Sequence, residues 1–137
     1  MKIGYVIWSL GLGGAEQVVI QLAREMAARG HTVTVFTLND PGVFASRMTA
    51  VGIEVVSMRK SRRYDWSLIG RLAQAFGERQ LDVVHTHLWG ANVWGRVAAR
   101  MAPVPLVVAT EHNVDTWKRF YHFIIDGLLA GGTTALI

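Results

Sequence analysis

Two short segments of this sequence carry the residue types best suited to chemistry, His85-Thr86-His87 and Glu111-His112-Asn113. Alternate residues of a strand point to one side, so a His-x-His pair at a strand end sets two imidazoles on one face. Such a pair can bind a metal ion, donate to a substrate oxygen, or hold itself in place through hydrogen bonds. A metal site needs carboxylates close by, and only Glu111 and Asp115 are near enough in sequence to help. A structural or substrate-contacting role is preferred for at least one of the three histidines. No metal and no resident cofactor is expected.

A third segment, residues 9–17 (SLGLGGAEQ), follows the apolar run IGYVIW. Gly11-x-Gly13 matches the first two glycines of a dinucleotide fingerprint, but Glu16 stands at the third. Asp40 falls where a ribose-binding acid would sit, roughly twenty residues on. A glutamate in the first helical turn suits the helix dipole, yet it repels a pyrophosphate on the same N–H groups. The nucleotide reading therefore stays open, as does tight strand-to-helix packing with no ligand. The preferred reading is a Gly13-Gly14 turn that lets a phosphate or sugar reach the backbone, glycine supplying any positive φ the turn needs.

Basic residues gather in Arg59, Lys60, Arg62 and Arg63, four of the fourteen in the chain. Residues 59–66 and 117–122 interleave cations with aromatic rings, a mixture that suits anionic headgroups or phosphorylated acceptors. Solvated surface is the plainer reading. No nucleic-acid motif accompanies them, and no nucleic-acid partner is expected.

These groups need a scaffold, and the composition supplies one. The chain has 137 residues, 51% hydrophobic and 18% charged, enough for one folded domain with a proper core. It has no cysteine, which excludes a disulfide framework and any thiolate nucleophile or metal ligand. A cytoplasmic location fits, with peripheral contact at the inner membrane face if the basic run meets lipid. The first fifteen residues resemble a short signal peptide, but they are β-rich and run straight into an amphipathic helix.

Short β-branched runs alternate with helical periodicity. Strands are expected at 2–8, 32–38, 53–58, 81–86, 105–110 and 133–137, with helices at 15–29, 43–50, 66–79, 90–101 and 114–129. The helix at 15–29 places Ala15, Val18, Val19, Leu22, Ala23, Met26 and Ala27 on one face, and Gly30 stops it. Asp65 is read as the N-cap of the next clear helix, whose inner face would hold Trp66, Ile69, Leu72, Ala73 and Phe76. The pattern predicts an α/β fold: a doubly wound, Rossmann-like parallel sheet in three α/β/α layers. Ligands of such sheets lie beyond the carboxyl ends of the strands, where strand order reverses. With the order 3-2-1-4-5, the glycine loop and His85/His87 converge on that point.

The segments GLGGAEQVVIQLAREMAARGHTVTVFT, LDVVHTHLWGANVWGRVAAR and VPLVVATEHN resemble the N-terminal domain of the GT-B-fold glycosyltransferases of family four. These are retaining enzymes that use nucleotide sugars. The resemblance runs through nearly the whole chain and implies an acceptor-side domain that closes a cleft against a second domain. It implies that Gly13 and Gly14 approach the donor phosphates and that His112 is the catalytic histidine beside the reacting sugar. It places Glu16, His87 and Asn113 with the acceptor, which could be a carbohydrate, a lipid-linked or a small molecule. The second domain, with its paired glutamates, has no counterpart in residues 1–137. The chain is thus expected to be half of an enzyme, inactive alone. The rivals are an NAD(P)-dependent oxidoreductase domain and a non-catalytic anion-binding module.

Overall fold

The computed structural model describes residues 1–112 and 119–137. Asn113, and the first residues of the helix expected over 114–129, lie outside the described residues. In chain order the elements are β1 (Lys2–Ile7), α1 (Gly14–Ala28), β2 (Thr32–Thr37), α2 (Ala45–Ala50), β3 (Glu54–Ser57), α3 (Ser67–Arg79), β4 (Val83–His87), α4 (Trp89–Met101), β5 (Leu106–Thr110), α5 (Phe120–Ala130) and β6 (Ala135–Leu136). Every strand pairs in parallel, in the order β3-β2-β1-β4-β5-β6. Chain direction across the sheet reverses between β1 and β4, as the expected order required.

Period-two alternation builds two cores, one on each face of the sheet. On one face Ile3, Tyr5 and Ile7 of β1 join Val33 and Val35 of β2 beneath Val19, Ile20 and Ala23 of α1 and Met48 of α2. On the other, Val6 and Phe36 meet Leu68, Leu72 and Phe76 of α3 and the small Ala91, Ala98 and Ala99 of α4. Phe36 and Phe76 pack edge to face with centroids 5.1 Å apart; burying each ring stabilises the fold by about 1.5–3 kcal/mol. Small residues on α4 bring that helix close to the sheet: a Cβ on Gly95 would stand 2.5 Å from Cγ2 of Thr86.

Helix α1 ends where its glycine predicts. Gly30 takes φ +86, and the amides of Gly30 and His31 bond the carbonyls of Ala27 and Met26. The start of α3 differs from expectation. Ser67 is its first residue, and Trp66 is 72% exposed instead of lying on the inner face. Leu68 and Ala75 join Leu72 and Phe76 there. Asp65 stands one residue before the cap position, yet its buried carboxylate takes up the Leu68 amide of the first turn as a cap does, besides accepting from Ser67 Oγ (2.5 Å) and pairing with Arg71 (2.8 Å). The Ser67 hydroxyl does most to hold this carboxyl below its usual range, with the Ser61 and Leu68 amides and the Arg71 charge adding to it.

Candidate functional site

The loop after β1 is anchored at Leu10, which is fully buried. Leu10 donates its amide to the Pro41 carbonyl and accepts from the Phe44 amide, both at 3.2 Å. The loop after β2 therefore braces the glycine loop. Asp40 serves this turn, its Oδ1 accepting from the Gly42 amide at 2.6 Å. It is a turn residue here, in the manner of many Asp-Pro-Gly sequences.

The two loop glycines differ in what surrounds them. Gly13 is the N-cap of α1 with φ −73 and ψ 166, and Gly14 is the first helical residue. Neither has the positive φ that the sequence left open; the glycines that do are Gly30, Gly42 and Gly52. A Cβ on Gly13 would fall 2.2 Å from Oε2 of Glu16, whose carboxylate folds back over the start of the helix. A Cβ on Gly14 would meet no atom within 4 Å. Packing thus gives no reason for glycine at position 14. The Glu16 carboxylate stands where helix N–H groups would otherwise face an anion, so a phosphate there must displace it.

At the carboxyl ends of β4 and β5 the histidines meet. His85 Nε2 lies 2.7 Å from Thr110 Oγ1, and His87 Nδ1 lies 2.9 Å from His112 Nε2. The His85 and His87 rings are 4.1 Å apart between centroids, and His87 meets His112 edge to edge, with centroids 5.2 Å apart and 18° between planes. Tyr5, in register with His85, closes the group from β1. Burial drives the His85 pKa down to about 4, helped by His112, and that of His87 to about 3, helped by His85 and His112. Both rings are therefore neutral at ordinary pH. His87 is 0% exposed, so the acceptor contact expected of it is not available in this arrangement; its surface is taken by His112 and its neighbours.

The strand ends are tied together by residues that no motif had singled out. Leu88 adopts φ +70, costly for a branched aliphatic residue. It donates its amide to the Thr110 carbonyl at 3.1 Å while turning the chain into α4. Asn92, buried in the first turns of α4, donates Nδ2 to the same carbonyl (3.3 Å) and to Glu111 Oε1 (2.6 Å). Among the described residues no group of three or more His, Cys, Asp or Glu is arranged to hold a metal ion.

The basic run divides in two. Lys60 turns inward: its ammonium donates to the Arg62 carbonyl and, at 2.8 Å, to that of Arg63. It also lies 5.6 and 5.7 Å from the ring centroids of Trp8 and Trp94. Arg59, Arg62 and Arg63 remain exposed. Arg59 and Lys60 border an open depression of about 620 Å³ beyond β2 and β3, shared with Asn39, Asp40 and Ser57. No helix among the described residues is long and apolar enough to cross a membrane.

Fold and site together define a Rossmann-like α/β domain whose loops gather polar groups at the topological switch point. The chain belongs to glycosyltransferase family 4, whose profile matches residues 12–131. It is 31% identical over 121 residues to a D-inositol 3-phosphate glycosyltransferase of Jonesia denitrificans, covering 78% of this chain and 28% of that protein. The protein of the same name from Acidothermus cellulolyticus is 30% identical over 109 residues, covering 69% and 24%. The chain thus spans about a quarter of the length of these relatives. Among solved structures, Anabaena HepE in complex with UDP and glucose superposes with a TM-score of 0.77 at 22% identity, over 99% of this chain and 37% of that one. A glycosyltransferase from Rickettsia africae gives 0.77 at 16% identity, over 98% and 35%. These likenesses carry the fold. The family assignment leaves the oxidoreductase reading without support.

Proposed function

We propose that this domain is the acceptor-side half of a retaining glycosyltransferase, working against a donor-binding domain that residues 1–137 do not contain. The observation that carries the reading is the open space at Gly14. A residue with no packing reason to be glycine stands at a helix N-terminus, on the ligand edge of a sheet from a sugar-transfer family. There the backbone can be approached by the diphosphate of a nucleotide sugar, once Glu16 moves aside. HepE, with the same fold, was crystallised with UDP and glucose, which suits a nucleotide sugar as the co-substrate here.

His112 is the group we assign to the reacting centre. Its Nε2 is engaged by His87, so its other nitrogen is the one that can donate to a sugar hydroxyl or to the departing phosphate, where negative charge grows. The acceptor would lie between this edge and the depression beside Arg59. The relatives' name, with its inositol phosphate, favours an acceptor that carries a phosphate. A lipid-linked acceptor would instead bring Arg62 and Arg63 against an anionic membrane.

The test uses this domain within its complete enzyme. His112→Ala should lower turnover by on the order of 10²-fold or more, and Gly14→Val should do so with little change in thermal midpoint. The isolated chain should show no transfer, because the transition state needs both walls of the cleft. Turnover by pure 1–137, or a Gly14→Val variant that unfolds while His112→Ala works normally, overturns the proposal.

A further inference from the structure

The contact between His87 and His112 admits only one proton. The two ring nitrogens, His87 Nδ1 and His112 Nε2, lie 2.9 Å apart, so one donates and the other accepts. His87 is wholly buried and neutral, and therefore carries a single ring proton. Its other nitrogen, Nε2, is buried with no hydrogen-bond partner among the described residues. The two possible arrangements differ in what is stranded there. If His112 donates, the His87 proton sits on Nε2 and a buried N–H is orphaned. If His87 donates, Nε2 keeps only a lone pair. Folded proteins leave buried N–H groups unpaired more rarely than buried acceptors. The second arrangement is favoured.

We propose that His87 is a positioning residue: its Nδ1–H donates to Nε2 of His112, which fixes neutral His112 as the Nδ1–H tautomer and makes that N–H the donor a ligand meets. The surroundings hold the pair in this geometry. The rings are nearly coplanar, with 18° between planes and the hydrogen bond running edge to edge in that plane, so His112 cannot rotate without losing it. Register pairing sets His87 beside Thr110, two residues before His112. Leu88 and Asn92 both bond the Thr110 carbonyl, which prevents the two strand ends from sliding apart. On the far side His85 and Tyr5 pack against His87. His85 is itself held through Nε2 by Thr110 Oγ1 at 2.7 Å. An unconstrained neutral imidazole prefers its proton on Nε2, so the pairing would select the tautomer that water does not. This is the logic by which a second group sets the proton position of a metal-bound or catalytic imidazole.

The consequence for catalysis rests on the role proposed for His112, but the tautomer does not. Long-range ¹H–¹⁵N correlation spectra of ¹⁵N-labelled chain at pH 7.5 read each ring directly. His112 should show the Nδ1–H pattern in the native chain and the Nε2–H pattern in His87→Phe, which keeps an aromatic ring against His85 and Tyr5 but has no donor. His87→Asn, whose amide nitrogen can stand near the former Nδ1, should restore Nδ1–H. An Nε2–H pattern in the native chain, or an unchanged Nδ1–H pattern in His87→Phe, overturns the proposal. Should the Phe variant fail to fold, Nε2–H in the Asn variant overturns it equally. In the complete enzyme, His87→Phe should lower kcat with little change in KM, and Asn should recover part of the loss. If the tautomers are as stated but His112→Ala turns over normally, the function assigned to His112 fails while the pairing stands.

Discussion

Gly42 passes so close to Leu10 that a Cβ on it would stand 2.4 Å from the Leu10 carbonyl carbon and oxygen. Its φ of +82 adds a second reason for glycine. The loop after β2 is thus moulded onto the loop after β1, and Gly42 is the packing glycine of the site. Gly14 is the reverse case.

Replacing Gly42 with alanine should therefore destabilise the domain by roughly 2–4 kcal/mol, lowering the thermal midpoint by on the order of 10 °C. Gly14→Ala lies at a helical position with nothing in its way and should leave stability level or raise it by about 0.5–1 kcal/mol. Thermal melts of the two variants side by side check the contrast. Equal losses would mean that Gly14 is also a packing residue.

Acid should unfold the domain earlier than its carboxylates alone require. His85 and His87 have pKa values near 4 and 3 in the fold against 6.5 for an exposed imidazole. Between those values the unfolded chain binds more protons, so stability is full above pH 6.5 and falls as pH drops below it. Every tenfold difference in proton affinity between fold and unfolded chain is worth about 1.4 kcal/mol, and the pair can cost several kcal/mol by pH 4. Glu54, held low first by its Arg79 hydrogen bond, and Asp65, first by Ser67, lose their contributions only in and below the carboxylate range. Urea unfolding measured from pH 7 to pH 4.5 isolates the histidines. A flat profile there would show that they are not buried neutral, and His85→Gln should make the slope shallower.

The basic run should respond in two different ways. Lys60→Gln removes a donor from two carbonyls and a cation from between two tryptophans, and should lower the thermal midpoint. Arg62→Gln with Arg63→Gln should leave the midpoint unchanged and weaken binding to anionic vesicles, an effect that salt also produces. Flotation with anionic and neutral vesicles distinguishes the cases. Equal recovery on both would leave the arginines as ordinary surface.

Helix α5 should depend on one buried cation. Arg96 of α4, 3% exposed, reaches Asp126 Oδ1 at 3.2 Å and Thr133 Oγ1 at 2.8 Å. Arg96→Ala should cost about 1.5–3 kcal/mol, the usual loss for hydrogen bonds to a charged group, because the Asp126 carboxylate it leaves is 26% exposed and can be solvated. Hydrogen exchange should quicken in α5 first, with β1 and β4 protected longer. Uniform loss of protection would argue that α5 is not a separable layer.

The scaffold was legible because its signals are local. The alternation in β1 and β2, the 3.6-residue period of α1 and the glycine that stops it report their surroundings within a few residues. The glycine loop and the histidine segments could be placed on one edge because parallel topology sends every strand the same way. Helix α3 shows the limit of this reading: periodicity located it, but its buried stripe runs through Leu68, Leu72, Ala75 and Phe76, which leaves Trp66 exposed at the helix start beside Trp94.

What the sequence determined by itself, then, was the class of fold, the sheet edge that carries the glycine loop and the histidines, and the chemical types gathered there. Only the tertiary structure decided which of those residues touch. His87 and His112 are 25 positions apart and meet through strand register; no pattern along the chain reports on register across a sheet. The same holds for Gly42 against Leu10 and for Lys60 between Trp8 and Trp94. In each case the deciding quantity is space already occupied by a distant segment, and a chain reveals that only when folded.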